Sequence, residues 1–177
     1  MKKIFTLCLL SAMTFASHAQ QPKVDCNCPK PIDGKFVQIE IMVENQDLGY
    51  KKVIMEMSCA DKIKDSREII REKVNCMWEK YYAEFGCNST GFLVANGNIL
   101  KYAVNQGFEF FIDGMVKDFG ISINKKDPSD GQTLLDFTRD EINRYKSNKD
   151  YVDKHKELIR IYNHLRNDLK AKHASEL

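Results

Sequence analysis

Asn96-Gly97-Asn98-Ile99-Leu100-Lys101-Tyr102-Ala103-Val104-Asn105-Gln106-Gly107 opens the stretch that decides the fold, which runs on to Gly131-Gln132-Thr133-Leu134-Leu135-Asp136-Phe137. Leu100, Ala103 and Val104 share one helical face, and the small Ala103 lets a neighbouring helix approach closely. Gly107 can end that helix in a left-handed conformation. Phe110, Phe111, Met115 and Val116 rebuild an apolar stripe at helical spacing, and Gly120 stops it. At that spacing the stripe is core. The polar run Asn124 to Asp130, with Pro128 and Ser129-Asp130-Gly131, predicts an exposed hairpin tip between helices.

These segments resemble the ankyrin-repeat family. In order they match its G-x-T-P-L-H-x-A-A-x-x-G helix start, its V-V-x-x-L-L second helix and its G-A-D-V-N hairpin, the last at Gly120-Ile121-Ser122-Ile123-Asn124. Asn96 and Gly131 hold equivalent positions 35 residues apart, close to the family period of about 33. The copies are degenerate. Asn96 replaces Gly, Asn98 replaces Thr, Ile99 replaces Pro, and Lys101 and Asp136 replace His. Thr133 alone keeps the capping hydroxyl.

The resemblance, over residues 96–137, implies a mainly α fold: a short ankyrin-like repeat stack with capping helices. It implies a partner rather than a substrate, met by the hairpin tips and the concave face of the first helices. On this sequence those positions are Asn96, Asn98, Lys101, Tyr102 and Asn105, then Lys125, Lys126, Asp127, Asp130, Gln132 and Asp136. Among small exported bacterial proteins of this type, resemblance to immunity proteins that neutralise a secreted toxin gives the expected function its sharpest form. The alternative is a periplasmic scaffold or stress-related accessory protein of an enzyme.

Export is read from the first residues. Met1 to Ala19 has Lys2-Lys3, an apolar run Ile4 to Phe15, and Ser17-His18-Ala19, the three regions of a secretory signal peptide. Cleavage after Ala19 predicts a periplasmic or secreted protein. The apolar run is too short to span a bilayer, so no stable membrane insertion is expected. The signal takes two lysines and no acids, leaving 25 of the 27 basic residues against 25 acidic ones. A neutral chain lacks the basic footprint of a nucleic-acid binder.

Five cysteines remain: Cys26, Cys28, Cys59, Cys76 and Cys87. An exporting compartment permits disulfides, and Cys26, Cys28, Cys59 and Cys87 are the candidates, pairing Cys26 or Cys28 with Cys59 or Cys87. Cys76 sits amid a helical apolar stripe and reads as a buried free thiol. Neither a metal nor a cofactor is predicted. Cys26-Asn27-Cys28 lacks a second pair, and His155, His164 and His173 are nine residues apart, which turns a helix by about 180° each time. No nucleophile elbow, phosphate loop or Ser-His-Asp set marks an enzyme. Asp127 and Asp130 read as solvated turn residues.

Around the repeats, residues 20–34 form a Cys- and Pro-containing segment and residues 35–177 one domain. Val37, Ile39, Ile41 and Val43 alternate with polar neighbours, and Val53, Met55 and Met57 alternate again, predicting a β-hairpin within 35–58. The rival is two short helices, since Glu and Met are good helix formers. Asp65 to Glu68 resembles a capping box opening a helix over 65–85, where Trp78, Tyr81 and Tyr82 read as core or cap. Leu158, Ile161, Leu165 and Leu169 predict a C-terminal capping helix over 150–172.

Overall fold

The computed structural model describes Val24, Cys26, residues 35–80 and residues 99–177. The predicted signal peptide, most of the 20–34 segment, Cys28, Tyr81, Tyr82, Cys87, Asn96 and Asn98 lie outside the described residues. Within them the chain is mainly helical and contains no strand.

The first correction falls on the hairpin. Residues 35–58 form two helices, α1 (Lys35–Glu44) and α2 (Tyr50–Met57), packed on each other. Burial shows which period won. Ile39 and Val43, four apart, are fully buried, while Ile41 between them is 52% exposed. A strand would have put all three on one face. Val53, Ile54 and Met57 repeat the helical spacing in α2. The alternation was real in the letters, but Glu, Gln and Met between the β-branched residues favour helix. Between the helices, the Gly49 amide donates to Asp47 Oδ1 at 2.7 Å.

Helix α3 (Arg67–Lys80) buries Val74, Met77 and Trp78. Its start lies one residue beyond the expected cap: Ser66 Oγ, not Asp65, accepts from the Ile69 amide at 3.3 Å. Asp65 instead accepts from the Asp61 amide and from Lys73 Nζ, each at 2.7 Å. A second correction concerns Cys76, which is not a free thiol but is bonded to Cys26. On a helix it stands off the line of Val74 and Trp78, and it is only half-buried, so a neighbouring segment can reach it. Cys59 is disulfide-bonded as well.

The remaining helices form two pairs with matching ends. Helix α4 (Ile99–Gln106) stops at Gly107, φ +77°, and α5 (Glu109–Asp113) runs into a π turn, Gly114–Asp118. Helix α6 (Leu134–Tyr145) is followed by α7 (Val152–Asn163), which runs into a π turn of its own, His164–Asp168. Each π turn closes on a residue with positive φ, Gly120 at +69° and Lys170 at +58°. The amides of Ile121 and Ala171 then reach back to Met115 O and Leu165 O, at 3.0 and 2.8 Å. This is the bonding pattern that lets a left-handed residue satisfy the last carbonyls of a helix.

Packing joins these pairs. Helix α4 contacts α5, α6 and α7, and α6 lies along α7. Buried apolar residues from Ile39 to Ala171 make one contiguous core, each large side chain contributing about 1.5–3 kcal/mol by leaving water. Gly114 is required where α5 turns: a Cβ there would fall 1.9 Å from the buried Tyr50 hydroxyl. No helix among the described residues is long and apolar enough to cross a membrane.

Candidate functional site

The predicted partner-binding residues do not share one level of the surface. Lys101, Tyr102, Asp127 and Asp136 are buried, Asn105, Lys125 and Gln132 are half-buried, and Lys126 and Asp130 are exposed. The loop between the π turn and α6 separates into a tip and a footing.

Lys101 is the footing. It projects from α4 with 1% of its surface exposed, and its Nζ lies 2.9 Å from Asp127 Oδ2 and 2.8 Å from Asp130 Oδ2. The ammonium also sits 5.5 Å from the centre of the Phe137 ring. Lys101 thus lies inside rather than at the surface, and Asp127 is not the solvated turn residue expected. Desolvating an ammonium is costly unless acids compensate it, and here the loop supplies two. Burial pushes the Asp127 carboxyl up, but the Ser129 hydroxyl and amide and the Lys101 ammonium outweigh it and hold the group below the usual carboxylate range.

The loop closes on itself above that point. The Asp127 amide donates to Gln132 O at 2.8 Å and the Gly131 amide to Asp127 O at 2.7 Å. Gly131 has φ +73°. Asp130 Oδ1 accepts from the Gln132 amide at 3.0 Å, while Gln132 Nε2 reaches Asp140 at 2.7 Å. Lys126, Pro128, Ser129, Asp130 and Gly131 are left exposed as the tip.

Asp136 is also internal. Thr133 caps α6, and the two form a capping box in which each side chain accepts from the other's amide. The Ala174 amide donates to Asp136 Oδ2 at 2.7 Å, and His173 Nδ1 lies 2.8 Å from Oδ1. Burial raises the Asp136 pKa, but the Ala174 amide, His173 and Thr133 overcome it and bring it down to about 2. Tyr102 is committed too, its hydroxyl donating to Glu44 on α1 at 2.7 Å. Lys125 pairs with Glu79, and the Asn105 carbonyl accepts from Lys154.

Sequence reasoning missed the C-terminal segment as part of this face. The Lys172 amide donates to Asn124 Oδ1 at 2.7 Å, and the Thr133 hydroxyl to Lys172 O at 2.8 Å. Arg166 grips Glu176 with two nitrogens, at 2.7 and 2.6 Å. A signal was present: His173 and Glu176 have cap-box spacing, and they form one.

A depression between Trp78, Leu100, Lys101, Ile123 and Leu134 holds about 10 Å³, the space of a single water rather than of an organic substrate. Among the described residues no three His, Cys, Asp or Glu side chains converge as metal ligands. Chemically, the face offers hydrogen-bonding and charged groups on a braced loop. No family model matches the chain, and no curated protein and no solved structure is significantly similar to it.

Proposed function

We propose that this chain is an exported protein-binding module built on two degenerate ankyrin-like helix pairs, and that its loop tip, residues 126–131, contacts one protein partner. The carrying observation is the buried Lys101 ammonium, held by the buried Asp127 and the exposed Asp130, which fixes the loop from below while its polar tip faces water. A loop ordered in advance gives up little conformational freedom on binding, which favours affinity. The matched endings of the two helix pairs support the repeat reading, and the Cys26–Cys76 bond suits an oxidising compartment.

In its sharpest form the partner is a toxin and the protein its immunity factor. A lethal enzyme must be almost fully occupied, so nanomolar binding, about −12 kcal/mol, is expected. The test is expression, in the periplasm and with and without this protein, of any toxin candidate that a neighbouring gene encodes. Rescue of growth and one-to-one binding are expected. Lys126→Glu with Pro128→Glu should weaken binding at least about tenfold, or 1.4 kcal/mol, with unchanged thermal stability. Growth lost equally in both strains, with no binding, would remove the immunity reading and leave the scaffold of a periplasmic enzyme. Unaltered binding by the double variant would move the interface off the tip.

A further inference from the structure

His164 caps the C-terminal end of α7, and both its ring nitrogens face carboxylates. Nε2 lies 2.8 Å from Asp113 Oδ1 on α5, and Nδ1 lies 2.7 Å from Asp168 Oδ2 in the following π turn. An ionised carboxylate only accepts, and a neutral imidazole carries a single N–H. Only the doubly protonated ring therefore donates at both ends. A cation at a helix C-terminus is also favoured by the helix dipole.

We propose that His164 is a protonation-dependent clasp: as an imidazolium it fastens the end of α7 to α5, and on losing a proton it lets that end loosen. Once neutral, the ring turns a lone pair toward one of the two carboxylates, so one side of the bridge becomes repulsive. The surroundings favour the closed form. Burial works against the charged ring, but Asp113 and Asp168 outweigh it, with Glu109 adding to them, and hold its pKa above the ordinary imidazole value.

The other charged groups around the bridge are named by their contacts. Lys117 pairs with Asp113 at 2.8 Å, and Arg160, one turn back on α7, pairs with Glu109 at 2.5 Å. From α2, the Tyr50 hydroxyl feels Asp113; burial first, then the charges of Asp118 and Asp113, push its pKa up, so it stays neutral while His164 titrates. Because the folded pKa of His164 is raised, its stabilisation is complete below the unfolded value of about 6.5 and is lost as pH rises through the folded value. The device is independent of which partner the loop tip binds.

The experiment follows the imidazole nitrogens of the full chain by NMR across about pH 5 to 9, a range that brackets the ordinary histidine value. Amide exchange at residues 164–171, corrected for its intrinsic pH dependence, is measured in parallel. A His164 midpoint above about 6.5, with exchange rising severalfold through that midpoint, is expected. Asp168→Asn, an exposed change, should lower the midpoint, and His164→Gln should abolish the exchange step. A midpoint at or below the ordinary value, or the same exchange step in His164→Gln, would overturn the clasp. Should His164→Gln not fold, Asp168→Asn decides: an unmoved midpoint overturns the proposal.

Discussion

At the scale of single residues, the decisive fact is that charged side chains of the repeat stretch point inward. Asp136 is the case with the clearest consequence for pH. Its folded pKa of about 2 lies below the unfolded value of about 3.9, so it contributes stability that is present above the unfolded value. That contribution drains away as pH falls through the folded one. Asp136→Asn should lower stability at neutral pH by about 1–3 kcal/mol, the cost of an impaired buried hydrogen-bond set. It should also flatten the acid limb between about pH 4 and 2, as read by urea melts at a series of pH values. The inward turn was not legible in the letters. A helical period places Leu100, Ala103 and Val104 inside, but it cannot see that a loop 26 residues further on, at Asp127, folds back over Lys101. The Thr133–Asp136 capping box was within reach, since its spacing is local.

At the scale of elements, the glycine stops were the most legible signal. Gly107 has φ +77°, and a Cβ there would also fall 2.1 Å from Glu157 Oε1 on α7. Gly107→Ala should therefore cost more than the roughly 1 kcal/mol of backbone strain alone, and thermal denaturation would register the drop. A variant as stable as the parent would mean that α7 shifts to make room. Lys170 closes the second pair in the same conformation without being glycine, which is why the end of that pair carries no visible punctuation. From the sequence, α7 therefore reads as a lone cap rather than as the second member of a pair. The strand error at 35–58 has another origin. Ile39, Ile41 and Val43 satisfy period two, Ile39 and Val43 alone satisfy period four, and the helix-forming Gln38, Glu40 and Met42 together with packing against α2 choose between them.

At the scale of the whole molecule, the bond from Cys26 to Cys76 spans 50 residues of sequence. In the chain-entropy view, closing a loop of that length removes about 4 kcal/mol of denatured-state freedom. Reduction should lower unfolding stability by about 2–5 kcal/mol, measured in denaturant with and without a thiol reductant. No change would mean that the tether constrains nothing in the unfolded chain. Counting cysteines told that disulfides belong here, but not which ones, because pairing is decided by approach in space. The sequence reads Cys76 as a free thiol because its apolar neighbours are close in the chain, yet they lie on a different side of the helix.

The division of the loop into tip and footing has one more consequence. Lys126 and Pro128 face solvent, while Asp127 between them is held by the buried ammonium of Lys101. What faces water and what is structural thus alternate at single-residue steps from 126 to 128. Mutation can redraw the outer letters from one lineage to the next while the inner ones stay fixed. Such a loop can vary its outer surface without re-inventing its own fold.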